Sequence, residues 1–173
     1  MTDKGYVGTD FDLTDLIDAE TSNDTRTALE DLLTTATAAG SAGRVISAHS
    51  RFRGRTRDGD AADYVDFILR ETDMRLGHCD WGYCVYRRES ASCLGDDRGP
   101  NPVIRTQSIC ATCSNFAVTQ KHRSVWEERR EQNARLLAHS MLDDDSRALA
   151  KVRIDECDRI LGELQQGREN DDE

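Results

Sequence analysis

Four cysteines carry the spacing in this chain that reads most directly as chemistry. Cys84, Cys93, Cys110 and Cys113 form a C-x8-C…C-x2-C set, with sixteen residues between the inner pair. Cys110-Ala111-Thr112-Cys113 sets two thiolates on one tight turn, the usual half-site for tetrahedral Zn²⁺. Cys84 and Cys93 would supply the other half from either end of a short hairpin. A closed Cys₄ shell leaves no coordination position for a substrate, so the ion would be structural. Cys79 and His122 are alternate ligands, and His122, nine residues past Cys113, allows a Cys₃His set. Cys157 stands apart from the cluster and reads as a buried, inert thiol. A redox reading of the C-x2-C lacks the βαβ pattern that would accompany it.

A second candidate is basic. Arg51, Arg53, Arg55 and Arg57 alternate with Phe52, Gly54 and Thr56. In an extended segment the four guanidiniums would fall on one side and suit phosphate contacts. In a solvated loop the same charges would only neutralise the acidic stretches around them. Arg87 and Arg88, with Arg105, Lys121 and Arg123, would extend such a surface around the cysteines. Trp81 and Trp126 read as packing, and His49 and His139 as surface residues. Neither a G-x-S-x-G, a Walker A, an H-E-x-x-H nor a GxGxxG motif occurs, and the carboxylates sit in runs typical of wet helix faces and caps.

The elements that must position these groups fit a chain of 173 residues with 37% apolar and 32% charged residues. That is room for one ordinary domain or two small ones, with modest cores. The net charge of −10 hides a segregation: acid dominates both ends, and base gathers in residues 41–58 and 75–135. A phosphate backbone would be met by the centre or not at all. No apolar run reaches the length of a membrane span, and Met1-Thr2-Asp3-Lys4-Gly5-Tyr6 lacks a signal-peptide layout. The expectation is a cytoplasmic protein without membrane contact, in which six cysteines point to metal or redox chemistry rather than disulfides.

Five segments follow. Residues 1–22 read as a flexible acidic N-terminal segment. Residues 23–74 form a helical region with the Arg-rich loop, with an N-cap at Asn23 or Asp24, Leu29, Leu32, Leu33 and Ala36 on one side, and Gly40 and Gly43 ending the helix. A short helix capped by Asp60 would bury Tyr64, Phe67, Ile68 and Leu69. Residues 75–118 form a Cys-rich zinc module whose few aliphatics cannot make a conventional core, so something other than hydrophobic burial must hold it. Residues 119–166 form an antiparallel helical hairpin. Its first helix starts at Thr119 and carries Trp126, Leu136, Leu137 and Met141. The second starts at Asp143-Asp144-Asp145-Ser146, and its stripe is Leu149, Val152, Cys157, Ile160, Leu161 and Leu164. Residues 167–173 read as a disordered tail. The fold class is mostly α, with helical segments flanking a small zinc-stabilised loop and β-hairpin module.

Trp81-Gly82-Tyr83-Cys84-Val85-Tyr86, Cys93 with Gly95-Asp96-Asp97, Gly99-Pro100-Asn101-Pro102 and Cys110-Ala111-Thr112-Cys113-Ser114-Asn115-Phe116 resemble a C-terminal extension found in a subset of tyrosine recombinases, the phage-type and transposon integrases. Gln120-Lys121-His122-Arg123-x-x-Trp126 and the helical hairpin fit the same pattern, so the resemblance covers roughly residues 75–165. Lys4-Gly5-Tyr6-Val7-Gly8 looks like the stretch around the nucleophilic tyrosine of those enzymes. The resemblance implies Tyr6 as the residue that would form a 3′-phosphotyrosyl link, helped by arginines that stabilise the developing charge. The catalytic domain that would carry those arginines is absent from these 173 residues, so no cleavage is expected of the chain alone. The resemblance implies a C-terminal fragment or accessory module that binds DNA or recombinase subunits, with the hairpin as a further protein contact and no small-molecule substrate. The alternative is a free-standing zinc-binding adaptor between proteins, unrelated to recombination.

Overall fold

A computed structural model of the chain describes residues 7–54, 59–72 and 74–169, and side chains from residue 21 to residue 166 within those ranges. Tyr6, Arg55 and Arg57 lie outside the described residues. The elements run α1 (Val7–Thr34), α2 (Ser41–His49), α3 (Gly59–Glu71), β1 (Arg75–Cys79), β2 (Gly82–Tyr86), α4 (Gln107–Ala111), β3 (Phe116–Ala117), α5 (Arg123–Leu137) and α6 (Asp144–Glu169). The fold is mostly helical, with a three-stranded antiparallel sheet in the order β1-β2-β3.

Helix α1 is longer than expected. It is already helical at Val7, the first described residue, rather than from Asn23 or Asp24, and so takes in most of the segment read as a flexible N-terminus. No proline interrupts residues 7–34, and the Asp residues near the start favour the positive end of the helix dipole. Gly40 serves the next element: at φ 79° it precedes α2, and a Cβ there would lie 2.6 Å from the Phe116 carbonyl oxygen. Only glycine combines that left-handed backbone with so close an approach. The approach lets Ala39 and Val118 exchange backbone hydrogen bonds of 2.8 and 2.9 Å, which joins the helical N-terminal half to the strand side.

Strand alternation divides the packing. Tyr83 and Val85 of β2 pack with Leu76 of β1 and with Ala28 and Leu32 of α1. Cys84 points to the opposite face. A second cluster joins α1 to α3 through Leu29, Val65 and Ile68. Phe67, expected on the buried side of α3, is 51% exposed.

The C-terminal helices form the expected hairpin. Gln120 Nε2 donates to Leu164 O, and Arg129 pairs with Glu156, a register that runs antiparallel. Thr119 caps the entry through a single 3₁₀ turn, Gln120–His122, that leads into α5. Asp143 accepts from Ser146 N at 2.8 Å at the start of α6, and that bond holds its carboxyl below the usual carboxylate range. The core at the hairpin's base is Trp126, Cys157, Ile160 and Leu164 with Phe116, Val118, Cys110 and Ala111. Leu149 and Val152, assigned to the buried stripe, are instead 48% and 54% exposed. They lie toward the far end of the hairpin, on either side of Ala150, which is 1% exposed and is the residue α6 buries at that level. Among the described residues no helix is long and apolar enough to cross a membrane.

Candidate metal centre

Cys84 occupies the middle of β2, on the face turned away from α1. The chain leaves β2 at Tyr86, makes a 3₁₀ turn at Arg88–Ser90 and reaches Cys93. The hairpin is therefore β1-β2, turning at Asp80-Trp81, and Cys84 and Cys93 do not flank it as expected. Tyr83 and Val85 give the strand alternation that fixes β2, but the glycines at 77 and 82 dilute that pattern in sequence. After Cys93 the backbone reverses through Leu94 at φ 54°, an uncommon conformation for a side chain of that size. Tyr86 Oη donates to Asp96 O at 2.8 Å and pins the reversed loop.

Cys110 and Cys113 come from α4 and the turn behind it. Thr106 caps α4, its Oγ1 accepting from Ile109 N at 3.3 Å, and Cys113 N donates to Cys110 O at 2.9 Å. Arg159 of α6 donates to Ala111 O at 2.5 Å, and Ser108 Oγ donates to Glu156 at 2.9 Å, so α4 is fastened to the long helix.

These elements bring Cys84, Cys93, Cys110 and Cys113 to the wall of one cavity of about 10 Å³, which they share with Ala91, Pro100, Arg105, Ile109, Asn115 and Phe116. That volume suits a single small ion or one water, not a molecule. All four are buried, and none of the six cysteines is paired in a disulfide. As the side chains stand, no group of three or more Cys, His, Asp or Glu side chains among the described residues is disposed to hold a metal ion. The four sulfurs share a cavity without closing on a common point.

Burial dominates their electrostatics. Burial pushes the Cys84 thiol up to about 12, against the lowering effect of Arg105, and the other three cysteines add to the rise. Burial raises Cys110 too, opposed by the nearby Trp81 indole and by Arg105. Neutral thiols are weak hydrogen-bonding groups and four thiolates repel, so nothing within the protein draws the sulfurs together. Beside them stand buried N–H donors. Arg105 Nε and Nη2 and Trp81 Nε1 are buried without a hydrogen-bond partner. Buried donors of this kind require an acceptor, and ionised sulfur would be one. The donor set of four thiols and its unpartnered N–H groups fit a thiolate-bound cation such as Zn²⁺.

The alternates separate. Cys79 shares Cys84's face of the sheet by register, but its Sγ donates to Gly82 O at 3.1 Å and it lines a neighbouring cleft. Arg105 and Cys110 both influence its thiol, which burial raises. His122 lies on the α1 side. Its ring meets Tyr83 edge-on, with centroids 4.6 Å apart, and its Nδ1 accepts from Thr119 N at 3.3 Å. Thr119 Oγ1 and Tyr83 Oη both donate to Asp31 Oδ2, at 2.7 and 2.8 Å. His122 is thus part of a polar network that ties α1 to the entry of α5.

Burial lowers the His122 pKa below its ordinary 6.5, against the raising effect of Asp31. Below pH 6.5 the unfolded chain then binds a proton that the folded one refuses, so stability falls as pH drops from 6.5 to the lower folded value. Urea midpoints taken from neutral pH down to about pH 5 should decline, and His122→Asn should flatten that slope. An unchanged slope would show that His122 titrates alike in both states.

The basic candidates are less concentrated than their sequence spacing implies. Residues 51–54 form a turn, not an extended strand. Arg51 lies over the rings of Phe52 and Tyr64, at 4.7 and 4.8 Å, and Arg53 Nε donates to Ala36 O at 2.6 Å. Arg87 is exposed, and Arg88 pairs with Asp97 at 2.6 Å. Arg105, read from sequence as part of a surface, turns inward to the cysteine cavity. Its sequence signal is its place between the Pro100-Asn101-Pro102 turn and Cys110. Trp81 likewise carries its indole N–H to the site from the tip of the hairpin, a role that a reading as packing alone misses.

No family model matches this chain, and neither a curated protein nor a solved structure matches it.

Proposed function

We propose that this chain is a C-terminal piece or accessory module of the tyrosine-integrase type, built around a structural zinc ion held by Cys84, Cys93, Cys110 and Cys113, and that it binds DNA or recombinase subunits. The observation that carries the reading is the presence of four free, buried cysteines from three separate segments on the wall of one ion-sized cavity. Between Arg87 and Ile109 the sole buried residue is Cys93. That loop has no apolar core of its own, and a metal bond at Cys93 supplies the cohesion that burial does not. When bound, the ion would act as a cross-link and hold the thiols ionised.

The residues around the cavity then have distinct tasks. Thr106 and the bonds from Arg159 and Ser108 fix α4, and with it the C-x2-C pair, on the hairpin. Arg87, exposed at the exit of β2, is available to a phosphate, and the net basic charge of residues 75–135 supports that partner. The integrase relation itself rests on the motif resemblance over residues 75–165.

A zinc-binding adaptor between proteins is the second reading. It is favoured by Leu149, Val152 and Met141, which are 48%, 54% and 92% exposed toward the far end of the hairpin. Elemental analysis should find one zinc per chain in either case. A mobility shift of duplex DNA at low salt, weakened by Arg87→Ala, supports the integrase reading. Failure to shift DNA together with failure to bind a tyrosine recombinase removes it and leaves the adaptor.

A further inference from the structure

We propose that Arg105 is the charge-balancing and positioning residue of the four-cysteine site, acting with the Trp81 indole as a pair of N–H donors to ligand sulfur. This rests on the zinc reading above and extends it to residues that no part of that reading requires.

Arg105 lines the same cavity as the four cysteines. Its Nε and Nη2 are buried and unpartnered, and so is Trp81 Nε1. Buried N–H donors without an acceptor are costly, and donors of two different chemistries orphaned beside the same sulfurs form one consistent deficit. Both act on Cys110, and Arg105 also acts on Cys84 and Cys79. The backbone is arranged to deliver the guanidinium there. Asn101 Oδ1 accepts from Val103 N at 3.0 Å, and Arg105 N donates to Asn101 O at 3.0 Å, which coils the loop just before the arginine. Across the cavity wall the residue opposite Cys84 in the β1-β2 register is Gly77. A Cβ there would stand 3.6 Å from Arg105 Nη1 and 3.7 Å from Nη2, ordinary contact distances, so the flat guanidinium lies against the sheet at Gly77.

Charge arithmetic gives the reason for an arginine. Four thiolates around a divalent cation carry a net charge of −2, and a buried site of that charge is expensive unless compensated. Arg105 halves it. N–H donation to coordinating sulfur also draws electron density from the ligand, orients it and lowers its nucleophilicity, as outer partners of metal ligands commonly do.

The test uses the full chain loaded with cobalt(II) or zinc at fixed pH, with affinity read by competition against a colorimetric chelator. Arg105→Met should weaken metal affinity about 10- to 100-fold, and Arg105→Lys, which keeps the charge but not the fork, should recover part of the loss. The sulfur-to-cobalt charge-transfer band should move to lower energy in Arg105→Met, a shift that a purely packing role would not produce. Trp81→Phe keeps a ring in place, removes one N–H and should move the band the same way by less. It serves as the readout if Arg105→Met does not fold. Metal binding by the wild type with unchanged affinity and band position in the variants overturns the role of Arg105 while leaving the zinc site standing. A wild-type chain that takes up no metal overturns the site, and the role of Arg105 falls with it.

Discussion

Cys110→Ser and Cys113→Ser should each release the bound zinc and unfold the segment from Arg87 to Cys113, while Cys157→Ser should cost only about 1–2 kcal/mol and release none. The contrast follows from where cohesion lies. Cys157 is fully buried among Trp126, Ile160 and Leu164, a core with other members to share the loss. Cys93, by contrast, is the sole buried residue between Arg87 and Ile109. A structural zinc site contributes on the order of 10 kcal/mol, which exceeds the whole stability of many domains, and a hydroxyl in place of one thiolate forfeits much of that. The β1-β2 hairpin should outlast the loop, because Tyr83 and Val85 pack on α1 independently of any metal. Hydrogen exchange read segment by segment is the measurement. Loss of protection should be confined to 87–113, with α5 and α6 keeping theirs. Equal effects of the three serine substitutions, on zinc content and on exchange, would show that the four cysteines do not act as a set.

The parts of this structure that could be read from sequence are those fixed by local rules. Thr119 and Asp143 announce helix starts, since a short oxygen-bearing side chain before an amphipathic run is the means by which free backbone N–H groups find a partner. The hairpin follows from apolar residues at helical spacing and a polar break between them. The shared location of Cys84, Cys93, Cys110 and Cys113 was also legible, because a C-x2-C turn in a segment poor in aliphatics leaves few other uses for the thiols. What escaped depends on tertiary context. Nothing local distinguishes Val7 from Asn23 as a helix start when no proline intervenes. Leu149 and Val152 have the spacing of core residues, yet Ala150 between them is the residue that is buried and they stay half exposed. Arg105 reads in sequence as one of the basic residues that would extend a surface around the cysteines. Its inward turn shows only in three dimensions, where it lines the cysteine cavity and lies against Gly77.

Charge segregation along the chain also resolves differently in three dimensions. Arg44 of α2 pairs with Glu163 of α6 at 2.6 Å, and Arg130 of α5 pairs with Asp158. A share of the central basic charge is therefore neutralised by the acidic C-terminal helix. A phosphate partner would meet a smaller free basic surface than the segment totals indicate, which is why Arg87 is the side chain to test first.

Glu156→Ala should destabilise the fold by about 3–5 kcal/mol, the cost of leaving a buried arginine without its carboxylate. Arg129 Nη2 lies 3.0 Å from Glu156 Oε2, with side-chain exposures of 9% and 12%. Ser108 Oγ donates to the same oxygen at 2.9 Å and accepts from Arg129 at 2.6 Å. The guanidinium also lies 5.5 Å from the centroid of the Trp126 ring. One carboxylate oxygen therefore joins α5, α6 and α4, and its removal strands Arg129, whose Nη1 already lacks a partner. Glu156→Gln keeps an acceptor and should cost less, on the order of the 1.5–3 kcal/mol of a charge-assisted hydrogen bond. Arg129→Met combined with Glu156→Leu should restore most of the lost stability, because an apolar pair avoids the desolvation that the ion pair must offset. Urea unfolding of the three variants decides the matter, and metal affinity measured alongside reads the coupling to the cysteines. Ser108 opens the helix that carries Cys110, so Glu156→Ala should weaken zinc binding as well as the hairpin. A double variant that recovers stability without recovering metal affinity would locate the coupling in the Ser108 bond, whereas recovery of both would assign it to the packing of α5 on α6.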